Sequence, residues 1–219
     1  MISILFQIYL SALLITGLTG VVAMYINKQG PLYLRLLSWF ILLILGVEKF
    51  ANFWAGKYGS DHAIVNFFLI IQFLFYSFVL YNIMPKPAIK KWVVYADYGY
   101  LIIAIPLIFF VQGINHLNSI VYFIGGFILS FFSAYSLLEL FRVPGKTNLF
   151  RTSSFYICCT ILFYHCCTIP IIVPWTLLLH MTPFDSKLLH VLLTTVYCMS
   201  YAMFAIAFIF HFKNRVIEK

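Results

Sequence analysis

Residues 155–174 read FYICCTILFYHCCTIPIIVP, two cysteine doublets around a histidine. These are the residue types that hold a zinc ion or exchange disulfides, but their spacing opposes both. Ligands on one helix must stand three or four residues apart to share a face. Cys158 and His165 are seven apart, as are Cys159 and Cys166, so each pair is separated by about 10 Å along the axis. Adjacent cysteines diverge by about 100° and form no chelate. In apolar surroundings a thiol stays protonated and packs as a small hydrophobe. The stretch is expected to hold no metal and no cofactor. It marks a bend instead, because Pro170 cannot donate to the carbonyl of Cys166 and Pro174 repeats the defect one turn later.

A second constellation is made of polar side chains set in otherwise apolar runs. An ionisable or amide group in lipid costs a few kcal/mol or more, which makes each one a functional candidate. Glu48 and Asn52 stand four residues apart, as do Gln72 and Tyr76, and Asn66 precedes them. His165 follows Arg151 by 14 residues, a climb of about 20 Å. Gln7 and Tyr197 belong at comparable depth. A ligand site is therefore expected from Glu48, Asn52, Asn66, Gln72, Tyr76, His165 and Tyr197, with Glu48 and His165 facing each other as a proton-sensitive pair. The plainer readings are that Glu48 pairs with Lys49 or Lys57, that His165 bonds a freed carbonyl, and that the amides join helices. Glu139 has Arg142 at i+3 and reads as an ion pair, whereas Asp97 has no local partner.

The elements that must position these groups follow from composition. Of 219 residues, 63% are hydrophobic and 9% charged, with a mean hydropathy of +1.00, against roughly 25% charged in an ordinary soluble domain. Charge-poor runs of about 20 residues match a hydrocarbon layer roughly 30 Å thick. Period-2 alternation is absent, so the spans are helices rather than barrel strands. The expected fold is all-α, a single seven-helix transmembrane domain over residues 1–219, with spans at 3–25, 33–55, 62–84, 92–112, 117–140, 151–175 and 188–211. The first span lacks a basic leader and an A-x-A cleavage site, and reads as permanent.

Lys28, Arg35, Lys86, Lys90, Lys91, Arg142, Lys146, Arg151, Lys213, Arg215 and Lys219 fall on one side of this threading. Lys49, Lys57 and Lys187 fall on the other. The positive-inside rule then puts the N-terminus outside and the C-terminus in the cytoplasm of a multi-pass cell-membrane protein. The net charge of +8 is thereby a matter of topology and calls for no nucleic acid. The five cysteines all fall within spans, so no disulfide framework is expected.

LRLLSWF (34–40) and FRTSSFY (150–156) align Arg35 with Arg151, Ser38 with Ser154, Trp39 with Phe155 and Phe40 with Tyr156. If this reflects a parallel repeat, helices 1–3 and 5–7 are the two copies and helix 4 is the linker. That plan resembles the sugar-transporting SWEET proteins in topology alone, since the Pro-Gln dipeptide of the related PQ-loop proteins is absent. Seven helices with an outer N-terminus also resemble rhodopsins, but the last span has no interior lysine for a Schiff base.

Three functional classes remain. Transport of a small, unidentified solute comes first, and a ligand- or pH-sensing module acting through a partner membrane protein or a homo-oligomer comes second. A membrane enzyme using His180, Asp185 and His190 comes third, at a spacing that matches no zinc motif. The lipid bilayer is the one partner that composition requires.

Overall fold

The computed structural model describes residues 2–26, 30–114, 116–142, 149, 152–177 and 183–217, with side chains over the same ranges except 2–3, 175–177, 183–187 and 214–217. Seven α-helices account for nearly all of them: α1 (Ile2–Ile26), α2 (Leu32–Tyr58), α3 (His62–Ile83), α4 (Pro87–Pro106), α5 (Ser119–Arg142), α6 (Ser153–Leu177) and α7 (Pro183–Ile217). No strand occurs among the described residues. Six of the helices, all but α2, are long and apolar enough by composition to cross a membrane. The chain is an integral membrane helical bundle, in which each span satisfies its own backbone hydrogen bonds.

Helix boundaries follow local chemistry. Pro87 opens α4 at its first turn, where the missing N–H is no loss. The helix thus begins five residues before the expected 92, and α7 likewise starts with Pro183 rather than at 188. α2 stops at Gly59, whose φ of +83° lets its N–H reach the carbonyl of Ala55 at 2.8 Å, a left-handed turn that a side chain would resist. Pro106 interrupts α4, and the next turn, Leu107–Val111, widens to π-helix and closes with Gln112 N–H on the Leu107 carbonyl at 3.0 Å.

Six helices form a ring in the order α1, α2, α3, α5, α6, α7, and α4 stands outside it against α3 and α5. That cyclic order is the one a parallel repeat with a linking α4 would produce. The two halves are not equivalent, because α6 packs on α7 far more closely than α2 packs on α3. The ring is closed by the first and last helices, where Thr16 Oγ1 donates to the Tyr201 carbonyl at 3.1 Å. Gly20 sits where α1, α2 and α7 meet. A Cβ there would lie 2.6 Å from Ser38 Cβ and 2.8 Å from the Phe208 ring. The outer surface is apolar, with Phe110 86% and Phe127 62% exposed, as lipid contact requires.

Candidate ligand site

A cavity of about 220 Å³ opens inside the ring, in the half of the bundle that carries the N-terminus. α2 contributes Ile44, Val47, Glu48 and Ala51; α3 contributes Val65, Phe68, Leu69 and Gln72. Five tyrosines complete the wall: Tyr9 of α1, Tyr122 of α5, Tyr164 of α6, and Tyr197 and Tyr201 of α7. Their rings adjoin, with centroids 5.9 Å apart for Tyr201 and Tyr9, 5.4 Å for Tyr9 and Tyr197, and 5.6 Å for Tyr197 and Tyr164. Tyr197 and Tyr201 are one turn apart, so a single stripe of α7 supplies two of them.

One turn deeper along the lining helices, the ring is plugged. Phe40 of α2 lies 5.9 Å from Tyr76 of α3, and Tyr76 lies 6.2 Å from Phe204 of α7. Tyr33, near the start of α2, meets Ser154, near the start of α6, at 3.3 Å between hydroxyls. The cavity therefore has an aromatic floor between it and the opposite membrane face.

Glu48 is half-buried in the wall. Its Oε1 accepts a hydrogen bond from the Tyr9 hydroxyl at 3.0 Å, and among the described residues its Oε2 accepts none. Neither Lys49 nor Lys57 pairs with it, and the expected Glu48–His165 pair is not formed. The reason lies in the α6 face that carries His165. That face meets α5, where Gly126 admits the imidazole so closely that a Cβ would lie 3.0 Å from Nδ1.

His165 is 5% exposed, and neither ring nitrogen has a hydrogen-bond partner. The ring rests among Tyr164, Tyr122 and Tyr76, at 4.9, 6.2 and 6.5 Å between centroids. It borders a void of about 20 Å³ shared with Gln72, Tyr100 and Gly125, room for one water molecule. Gln72 and Tyr122 line both spaces and form the partition between them. The alternative of a His165 bond to a freed carbonyl is not realised either.

Of the seven residues expected at the site, Glu48, Gln72 and Tyr197 line the cavity, His165 lines the adjoining void, and Tyr76 belongs to the floor. Asn52 is exposed and takes no part. Asn66 is fully buried, with Nδ2 donating to the carbonyls of Ile114 (3.1 Å) and His116 (2.8 Å) and Oδ1 accepting from the Asn118 N–H (3.0 Å). All its bonds go to the 113–118 loop, which holds Leu117 against the cavity. Tyr9, Tyr122, Tyr164 and Tyr201 were not anticipated. The chain has 15 tyrosines, and the signal that singles these out is the i, i+4 spacing of Tyr197 and Tyr201 and the place of Tyr164 beside His165.

The opposite half is closed. The Glu139 carboxylate accepts from Lys86 Nζ at 2.7 Å, from the Tyr135 hydroxyl at 2.9 Å and from Arg142 at 3.1 Å. Glu139 in turn holds the Lys86 ammonium pKa above its ordinary value. The Arg142 pair was legible in the sequence, and Lys86, from the α3–α4 link, was not. Asp97 accepts from the Ser77 hydroxyl of α3 at 2.6 Å, a partner that no spacing within α4 reveals. All five cysteines are free, with Cys158 buried and Cys166 facing outward. His180 lies outside the described residues, as do the side chains of Asp185 and Lys187.

No protein-family model, curated protein or solved structure matches this chain. Its class rests on the architecture alone, an integral membrane bundle of seven helices enclosing a tyrosine-walled cavity.

Proposed function

We propose that the protein handles a small ligand in this cavity, most favourably as a transporter of a small solute. The observation that supports the reading is a one-sided, largely apolar cavity whose few polar groups converge from six helices, the usual make-up of a small-molecule site. At about 220 Å³ it is smaller than the roughly 300–1,000 Å³ of drug-sized pockets, so the solute is small. In the orientation given by the positive-inside rule, the cavity faces outside. Transport then requires the Phe40–Tyr76–Phe204 floor to part while the outer end closes, an exchange that the backbone hydrogen bonds missing at Pro170 and Pro174 within α6 and the π-turn after Pro106 would accommodate.

The plugged floor also favours a second reading, sensing. A sensor needs the cavity to communicate with a partner protein and never needs the floor to open. The two readings separate by access. In a cysteine-free background, Ala51→Cys places a thiol in the cavity wall, and a membrane-impermeant thiol reagent is applied to either face of oriented vesicles. Transport predicts labelling from both faces, slower from the side of the C-terminus. Labelling from the N-terminal face alone favours sensing, and labelling from neither face removes the ligand cavity altogether.

A further inference from the structure

The chemistry of the wall narrows the ligand class, on the reading that the cavity is a ligand site. Its charge is one-sided. Among the described residues, Glu48 is the only carboxylate in the lining, and no lysine or arginine joins it. An anion placed in such a wall would meet a carboxylate and nothing to balance it.

The polar supply also disfavours a neutral polyol. Besides Glu48, the non-tyrosine lining offers only the Gln72 amide. Of the five phenol hydroxyls, that of Tyr9 is engaged by Glu48 and that of Tyr122 by Thr168. What the tyrosines present in quantity is ring surface. A positively charged ammonium group is attracted to aromatic faces through the ring quadrupole, and several rings around one carboxylate make a cage for such a group.

We propose that the cavity binds a small organic ammonium cation, held by the tyrosine rings and charge-balanced by the unpartnered Oε2 of Glu48. The Tyr9 hydroxyl, from the same wall, holds the carboxylate through Oε1 and leaves Oε2 without a hydrogen bond among the described residues. His165 sits behind the Gln72–Tyr122 partition and does not compete for the same carboxylate.

The test uses the full chain in detergent and two probes of nearly identical shape, choline and its neutral isostere 3,3-dimethylbutan-1-ol, measured by equilibrium dialysis. Choline is expected to bind at least tenfold more tightly than the alcohol. Glu48→Gln should abolish that preference, since the amide keeps the Tyr9 contact and removes the charge. Tyr197→Leu should weaken choline severalfold, and Glu139→Gln, a carboxylate outside the cavity, should leave it unaltered. Equal binding of the two probes overturns the proposal, as does full choline binding by Glu48→Gln. If neither probe binds while Ala51→Cys still labels, the cation assignment falls and the ligand cavity stands. If Ala51→Cys fails to label from either face, both fall.

Discussion

Glu48 and Glu139 are two carboxylates in one bundle, placed in opposite halves and treated differently. Glu139 is surrounded by Lys86, Arg142 and Tyr135, with both oxygens engaged. Glu48 lines the cavity with one phenol on one oxygen and, among the described residues, no partner on the other. Glu139 is the more buried of the two, yet it is partner supply that separates their roles. A carboxylate whose charge is matched within the protein serves cohesion, whereas one whose match is left out of the fold is available to something that arrives.

The largest expected effects test the boundary between the halves. Gly20→Val forces a Cβ into the space held by Ser38 and Phe208. It should cost at least about 1–3 kcal/mol, seen as a lower Tm in detergent and loss of choline binding through misassembly of the ring. Glu48→Gln should do the reverse, lowering choline affinity at least tenfold while the Tm stays at the parent's value or rises. Glu139→Gln should lower the Tm and spare affinity. Were the two glutamate variants to behave alike, the contrast between the halves would be gone.

Asn66→Leu sharpens the comparison at the rim of the cavity. It leaves the Ile114 carbonyl and the Asn118 N–H without their partner and takes one of two donors from the His116 carbonyl, which keeps Asn118 Nδ2, a loss of about 2–4 kcal/mol at roughly 1 kcal/mol per bond plus the cost of the stranded groups. Its Tm should fall more than that of Asn52→Leu, whose side chain is exposed. His165→Phe removes two buried nitrogens that have no partner. It should therefore raise stability by about 1 kcal/mol or leave it unchanged. A clear loss of stability would show that a bridging water is integral to the fold.

The smallest effect concerns pH. Glu139 raises the Lys86 pKa above its unfolded value of 10.5, so the stabilisation is complete below that value and fades as pH rises through the folded one. The Tm should be insensitive to this pair through neutral pH and decline only in strong alkali, and Lys86→Met should remove that part of the decline.

The helices were legible because all but α2 are written as charge-poor runs of membrane length, and the misplaced starts of α4 and α7 trace to prolines that permit one or more extra turns. Depth was legible too, since counting at 1.5 Å per residue placed Glu48, Gln72, His165 and Tyr197 in the same half. Facing was not legible. Whether Glu48 meets His165 depends on the rotation of α6 against α5, which the close approach at Gly126 sets and no count along one helix contains. The same holds for Asn66, whose depth suggested a ligand contact and whose partners turned out to lie 48 to 52 residues away.

The seam between α1 and α7 has a consequence for biosynthesis. Tyr9 and Glu48 are made early, yet the wall opposite them, Tyr197 and Tyr201, belongs to α7, which leaves the ribosome well after α1 and α2. Until α7 arrives, a half-built trough holding an acid and an amide would confront acyl chains. Its release from the insertion machinery is then expected to await α7, and a chain shortened before residue 183 should be recognised and degraded rather than accumulate.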